Sequence, residues 1–421
     1  MKRDALIYLA GRFIPAFASI AIIVLAARFL GPEEYGKYSL ILYTVLMAVT
    51  LSFHWIQVSI IRFLSGMSRE TSLVVGRFFS LAMISSLLSL VMVFLAGTLY
   101  FHLTGIELSL VLVFTFLSQI YLMHIAIYQA YHRSIRTAVL EGTEHLVMLG
   151  VLLCGIFLFQ MKSFSLIFIS MILGLISAEI LRVFIRIKGL YNIDLTKVYW
   201  DTRFSRKVFE FGFGLSLWLF FSHVLFSADR FIIKEFYGYH EAGVYSVAKD
   251  LLFKIASFAC MPLVFSYQPK ILERWNARRY KQALGQIKEA LNFEILVFVI
   301  LFVVLMILKE KIFRNIVHIQ VEHFKIEFLF LVFSAFLWQT CLFLQKPLEL
   351  LFHQNDLVLV LGFSALANIL ANLYLVPRFG YFIAAPVMLG TVLIYCILVF
   401  LLSYRRVKRK ATLSDDLSES T

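Results

Sequence analysis

Twelve apolar runs, each long enough to cross a lipid bilayer as a helix, constrain the fold of this chain more than any other feature. They lie near residues 5–29, 38–60, 78–101, 108–130, 144–161, 165–185, 208–228, 243–265, 290–308, 326–345, 357–376 and 380–403. About 20 apolar residues span a bilayer as an α-helix. Hydrophobic residues make up 61% of the 421 positions, whereas soluble domains carry about 45–50%. The sequence therefore predicts an all-α integral membrane protein and excludes soluble, fibrous and disordered classes.

Lysine and arginine are distributed unequally between the two sides of these spans. With the N-terminus inside, 26 of the 39 Lys and Arg residues lie in inside segments or at their span ends, 10 lie outside, and three lie within spans. Cytoplasmic segments of membrane proteins carry such an excess. Both termini are therefore predicted to be cytoplasmic, and the net charge of +13 reflects topology rather than a nucleic-acid partner.

The longest inside connection, residues 186–207, divides the chain into six spans and six spans. Segments 31–39 and 238–246 share Gly, Glu, Gly, Tyr and Ser at a constant offset of 207. An even number of spans in each copy gives both copies the same orientation in the membrane. We predict two pseudo-symmetric six-helix lobes, 1–195 and 196–404, around a central cavity, followed by a basic and then acidic cytoplasmic tail, 405–421.

The eighth span carries three charged residues, Lys249, Asp250 and Lys254. A charge at the centre of a membrane helix costs roughly 2.5–3.5 kcal/mol, so it persists only where it faces protein or water. At 100° per residue, these residues share with Ser246 and Ser257 one stripe about 140° wide, and Lys254 lies about 17 Å into the span. The stripe predicts a water-accessible face, although Asp250 and Lys254, at i and i+4, also fit a structural ion pair.

Other spans carry isolated polar candidates. They are Arg12 on the first span, His54 on the second, and Asp229 with Arg230 at the end of the seventh. An arginine near a span end can instead extend to the membrane interface, and histidines in helix bundles are more often packed residues than proton carriers.

No enzyme motif is present. The sequence lacks HExxH, GxxxxGK and GxSxG, and the longest outside loop, about 309–325, is too short for a catalytic domain. The four cysteines, Cys154, Cys260, Cys341 and Cys396, each stand alone in an apolar run. We therefore expect no enzymatic activity, no cofactor, no metal site and no disulfide framework, with the cysteines as small core residues.

The segment 27–38 (ARFLGPEEYGKY), together with 229–233 (DRFII) and 238–245, resembles the Wzx-type polysaccharide-biosynthesis flippases. These form a branch of the multidrug/oligosaccharidyl-lipid/polysaccharide (MOP) exporter superfamily. The resemblance implies transfer of an undecaprenyl-pyrophosphate-linked oligosaccharide across the bacterial inner membrane for O-antigen, lipopolysaccharide or other surface polysaccharide. It also implies contact with membrane lipids and cooperation with polysaccharide polymerase and chain-length machinery.

An anionic diphosphate and a hydrated glycan need a cationic, polar cavity, whereas the prenyl tail can remain in lipid. Cations outnumber anions among the candidates, which favours this substrate over that of a cation-coupled multidrug exporter, the alternative within the superfamily. A purely structural membrane scaffold would leave the polar stripes unexplained. The candidate cavity residues are Arg12, Arg28, His54, Asp229, Arg230, Lys249, Asp250 and Lys254.

The predicted topology can be checked with reporter fusions. Because the basic segments should remain inside, fusions at Arg69, Lys197 and the C-terminus should report the cytoplasm. Fusions at Gly105, Lys162 and Lys311 should report the outside. A C-terminal fusion that is active outside the cytoplasm would refute the topology.

Overall fold

The computed structural model describes residues 2–65, 71–185, 199–316, 325–351 and 353–419. Within these ranges, the side chains of residues 2–12, 71–72, 314–316, 325 and 408–419 are not described.

The described ranges are helical and contain no β-strand, which confirms the predicted all-α membrane class. The helices are α1 (Lys2–Leu30), α2 (Pro32–Ser52), α3 (His54–Leu64), α4 (Thr71–Leu99), α5 (Gly105–Ala130), α6 (Ser134–Phe157), α7 (Ser165–Phe184), α8 (Thr202–Tyr237), α9 (Tyr239–Asn276), α10 (Tyr280–Glu310), α11 (Lys325–Leu344), α12 (Lys346–Leu350), α13 (Gln354–Phe379) and α14 (Ala384–Glu419). A π-helical turn follows α10, and a 3₁₀ turn precedes α14.

Ten of the described helices are long and apolar enough to cross a membrane. The pair α2 and α3, bent by 49° on either side of Phe53, forms an eleventh passage when it is counted as one broken span. Helix α9 occupies the position of the eighth predicted span but is not among these eleven. It is also the helix that carries Lys249, Asp250 and Lys254.

The chain forms two compact units, Met1–Ser227 and Ala228–Thr421. Their boundary lies inside α8, so the first part of this long helix belongs to the first unit and its last turns belong to the second. The lobe boundary at residues 195 and 196 stays a prediction.

The two units share part of their internal packing. In the first unit, α5 packs against α3, α4 and α7, and α6 packs against α7. In the second unit, α11 packs against α9, α10 and α14, and α13 packs against α14. These contacts correspond in chain order, whereas the extensive packing of α1 against α6 has no equally extensive counterpart between α8 and α13 in the described part of the chain.

The repeat is also visible in the backbone at two glycines. Gly31 joins α1 to α2 with φ 87° and ψ 165°, and Gly238 joins α8 to α9 with φ 94° and ψ −179°. This region of backbone space is accessible essentially only to glycine. The amide of Gly238 donates to the carbonyl of Lys234 (2.9 Å), and its carbonyl accepts from Ala242 (3.3 Å). One residue thus ends α8 and begins α9, which fixes how the two helices face each other.

The expectation that all four cysteines stand alone in the core is wrong for three of them. Cys341 on α11 and Cys396 on α14 form a disulfide with their Cα atoms 5.6 Å apart. Cys154 is a free thiol but is exposed, whereas Cys260 is free and buried. A separation of 55 residues gives no pairing signal in the sequence, because only the packing of α11 against α14 brings the two thiols together.

Replacing the glycine that joins α8 and α9 should destabilise the protein. A Gly238→Ala variant forces a Cβ into a disfavoured backbone region and should lose about 1–3 kcal/mol. The measurement is thermal unfolding in detergent. A Gly285→Ala variant is the control because Gly285 lies within helix α10 with open space around it, where Ala is about 1 kcal/mol better than Gly. Equal melting temperatures for the two variants would contradict this account of the corner.

Candidate functional site

The second unit holds two ion pairs that connect the end of α8 to the start of α9. Lys249 Nζ donates to Asp229 Oδ2 at 2.5 Å. Arg230 binds Asp250 through both of its terminal nitrogens, with Nη1 at 2.9 Å from Oδ2 and Nη2 at 2.5 Å from Oδ1. A forked guanidinium–carboxylate contact of this kind is both strong and geometrically specific.

The pairing follows from the positions of these residues along the chain. Asp229 and Arg230 are adjacent on α8, Lys249 and Asp250 are adjacent on α9, and each pair is separated by 20 residues. Gly238 stands near the middle of that interval and separates the two helices. The order acid–base on α8 and base–acid on α9 matches opposite charges because each contact joins residues that are 20 positions apart.

Burial explains why the charges have to be paired. Asp229 is 0% exposed, and the side chains of Lys249 and Arg230 are each 1% exposed. Tyr245 donates its hydroxyl to Asp229 Oδ2 at 2.7 Å, and its ring lies 5.5 Å from Lys249 Nζ. The four charges sum to zero, so this cluster is electrically neutral as a whole.

The two hypotheses for Asp250 can now be compared with its contacts. Asp250 pairs with Arg230 rather than with Lys254, so the structure does not form the ion pair expected between positions i and i+4 of α9. Arg230 is buried in that pair, with 1% of its side chain exposed.

Lys254 differs from the other charged residues of α9 because its side chain is exposed. Among the described residues, no carboxylate lies within the 4 Å of an ion pair with it. The predicted stripe is therefore graded: Ser246 and Lys249 are buried, Asp250 is half-buried, and Lys254 is accessible. Lys254 is thus the exposed charge of the stripe, and the water-accessible face stays a prediction.

The remaining predicted residues lie in the first unit and do not form one cluster. Arg28 is exposed near the end of α1, with its guanidinium 5.3 Å from the Phe29 ring. His54 begins α3 and has its Nδ1 3.1 Å from Gln57 Oε1. Arg12 lies in α1, but its side chain is outside the described residues.

Polar faces of α2 and α8 meet inside the first unit. The rings of Tyr43 on α2 and His223 on α8 stand edge to face with their centroids 6.3 Å apart. Ser227 on α8 contacts the sulfur of Met47 at 4.0 Å. These faces are therefore at least partly used for packing between helices.

Two buried or half-buried carboxyl groups were missed by the sequence reasoning. Glu179 on α7 lies 3.0 Å from His124 Nδ1 and accepts from Arg182 Nε at 2.6 Å. Glu294 on α10 is fully buried. The available signal was the same for both: each is the single acidic residue in its predicted span.

The arrangement is suited to holding an anion rather than a metal ion. In the described part of the chain, no group of three or more His, Cys, Asp or Glu residues is placed to hold a metal. The carboxylates of the hairpin are engaged by Lys249 and Arg230, and Lys254 adds a positive charge that forms no ion pair of its own among the described residues.

The hairpin cluster predicts a specific pattern of stabilities. Asp229→Asn or Lys249→Met alone should cost about 3–5 kcal/mol, because each leaves an uncompensated buried charge, whereas the double variant should recover most of the loss. The measurement is thermal unfolding of each variant in detergent. Lys254→Met is the control and should change stability little because Lys254 has no ion-pair partner. Additive losses in the double variant would contradict the pairing.

Comparison with known proteins extends these observations. Residues 1–275 match the family described as polysaccharide biosynthesis protein. No curated protein sequence matches the chain at a significant level.

Among solved structures, an inward-facing multidrug-resistance MATE family transporter of the MOP superfamily aligns with a TM-score of 0.76 at 10% identity, covering 96% of this chain and 98% of its own. A MOP superfamily transporter from Pyrococcus furiosus, described as having a binding pocket of reverse polarity, aligns at 0.68 and 10% identity, covering 96% and 95%. The lipid II flippase MurJ in an inward closed conformation aligns at 0.66 and 12% identity, covering 94% and 87%. At such identities, these similarities show the fold alone.

The family match covers more than half of the sequence and agrees with the membrane fold, so the chain belongs to the polysaccharide biosynthesis protein family and has the fold of MOP-superfamily transporters and flippases.

Proposed function

We propose that this protein moves an undecaprenyl-pyrophosphate-linked oligosaccharide from the cytoplasmic to the periplasmic leaflet of the bacterial inner membrane. The product would supply assembly of a cell-surface polysaccharide such as O-antigen. Membership of the polysaccharide biosynthesis family supports the substrate class. The observation that carries the proposal is the exposed Lys254, a cation without a partner on a helix whose other central charges are neutralised.

The physical difficulty in flipping such a lipid lies in its headgroup. A diphosphate and its sugars are strongly hydrated, and an isolated charge in a low-dielectric medium costs many kcal/mol. A lysine ammonium offers three donors and a full positive charge to the phosphate oxygens. Lys254 lies about 17 Å into its predicted span by helical rise, so it would lower this cost at the depth where the cost is greatest.

The neutral hairpin supports an anionic substrate over a cationic drug. A cation-coupled multidrug exporter, the alternative function, would need carboxylates that are available to a cation. Asp229 and Asp250 are both engaged by basic side chains, so the charge left over at this position of α9 is positive. The similarity to MATE transporters is compatible with an anionic substrate, because this similarity shows the fold and not the substrate.

The orientation and partners are part of the same proposal. Both termini would be cytoplasmic, as the distribution of Lys and Arg favours. The flipped lipid would pass to a polysaccharide polymerase and its chain-length machinery. Membrane lipids surround the apolar helix faces, where large hydrophobic side chains such as Leu99, Phe184 and Ile307 are exposed.

Cells that lack this protein should accumulate lipid-linked oligosaccharide on the cytoplasmic leaflet and lose the corresponding surface glycan. Complementation should depend on the charge at position 254. Lys254→Arg should restore more surface glycan than Lys254→Gln, because it keeps a donor with positive charge. The measurement is surface glycan per unit of membrane-inserted protein.

Lys270→Gln is the matched control, because Lys270 is an exposed lysine on the same helix but lies outside the predicted span. It should complement like the wild type. Normal surface glycan in deletion cells that contain no second flippase would refute the function. Equal activity of the Arg and Gln variants at position 254 would remove Lys254 from the substrate site while leaving the function open to the deletion test.

A further inference from the structure

Glu294 is an acidic residue on the buried face of helix α10, which we call the packing face. The buried residues of this face are Ala283, Ile287, Ala290 and Glu294, spaced by three or four residues. Glu294 is 0% exposed, although most of the surrounding helix is apolar and accessible. It occupies a position at which the pattern of the helix predicts an alanine or an isoleucine.

The surroundings of this carboxyl group are apolar. Ala290 and Ile287, one and two turns earlier, belong to a buried cluster with Val264, Tyr267 and Phe343. Phe298, one turn later, stacks on Phe336 of α11 with ring centroids 3.9 Å apart. The site is therefore enclosed by hydrocarbon and aromatic rings.

Neither carboxyl oxygen of Glu294 has a hydrogen-bond partner of normal geometry in the described structure. The polar neighbour on α11 is the hydroxyl of Thr340, which donates to the Phe336 carbonyl at 3.3 Å. The titratable neighbour on α9 is the buried thiol of Cys260. Among the described side chains, no Lys, Arg or His forms an ion pair with Glu294. The Thr340 hydroxyl is thus the one polar group beside this carboxyl group among these neighbours, and no cation pairs with it in the described structure.

A carboxylate without a counter-ion or hydrogen bonds is very costly in such a medium, and the group becomes neutral instead. Neutral Glu294 has one O–H donor, and the Thr340 oxygen retains acceptor capacity. Stability alone does not account for the acid, because a leucine of similar size would fill the position without the cost of burying a polar group.

We propose that Glu294 is a proton-binding site that is loaded when the α10 packing face is buried and unloaded when this face becomes hydrated. On unloading, the carboxyl O–H bond breaks, the proton passes to water, and a hydrated carboxylate remains. The site lies about 6 Å into the predicted span from its cytoplasmic end by helical rise, so the path for the proton is short. The inference deepens the proposed function because it assigns the proton as the ion that is coupled to lipid transport. Proton binding by Glu294 does not depend on the proposed function, but the identity of the transported lipid does.

The loaded state can be tested without any transport substrate. The full chain is reconstituted in liposomes, and infrared difference spectra are recorded between low and high pH. The wild type should show a protonated-carboxyl C=O band at neutral pH that Glu294→Gln removes. Glu289→Gln is the control, because Glu289 is exposed on the same helix and bonded to Tyr267 and Gln286. It should leave the band unchanged.

Coupling to conformation needs a second measurement on the same samples. In the wild type, loss of the carboxyl band at high pH should coincide with faster amide hydrogen exchange along α10, after correction for intrinsic rates. Glu294→Gln and Glu294→Leu should both remove this pH dependence while remaining inserted and folded, since each is permanently neutral.

The outcomes distinguish the hypotheses. A spectrum that Glu294→Gln leaves unaltered would mean that Glu294 is ionised, which overturns the proton site. A band that persists without any change in exchange would make Glu294 a buried acid with no role in coupling, which also overturns the proposal. Neither result bears on the deletion experiment, so a failure of the proton site and a failure of the flippase function remain separate.

Discussion

The cost of an uncompensated charge in an apolar medium governs the polar architecture of this protein. Asp229, Arg230, Lys249 and Asp250 are tolerated together because each has an opposite partner across one hairpin. Removing a partner is expected to be far more damaging than removing a pair. The two ion pairs are therefore explained by their contribution to stability. The charge of Lys254, which lies outside these pairs, is the one that needs a functional explanation.

The partner geometry depends in turn on the backbone of one glycine. Gly238 separates α8 from α9, and the two ion pairs beyond this corner join residues that are 20 positions apart. Gly31 has nearly the same dihedral angles at the equivalent corner of the first unit. The two corners share a conformation but carry different side chains beyond it, since the residues that correspond to Asp250 and Lys254 by the repeat offset are Tyr43 and Met47. The two halves thus share the turn and part of the helix packing, while the charged hairpin lies in the second unit.

The sequence was sufficient for the features that depend on one helix at a time. Apolar run length predicted the membrane helices, and the 3.6-residue period predicted the stripe that contains Lys249, Asp250 and Lys254. It could not predict which partner each charge would take. The helical period places Lys254 beside Asp250, but the contact that forms is made to Arg230 of another helix, and its register depends on the corner at Gly238. The disulfide between Cys341 and Cys396 escaped prediction for the same reason, because it depends on the packing of α11 against α14.

Lys254 and Glu294 lie in the second unit outside the two ion pairs of the hairpin, and they differ in exposure. This difference suits the proposed transport cycle. Lys254 is exposed, so under the proposed function its ammonium group is accessible to an anion. Glu294 is enclosed, so its charge is suppressed and becomes available only when the packing around α10 loosens. Under the two proposals, Lys254 would bind the anionic headgroup, and Glu294 would make the energy of the transport states depend on pH. Helices α9 and α10 pack directly against each other, so the helices that carry these two groups are neighbours.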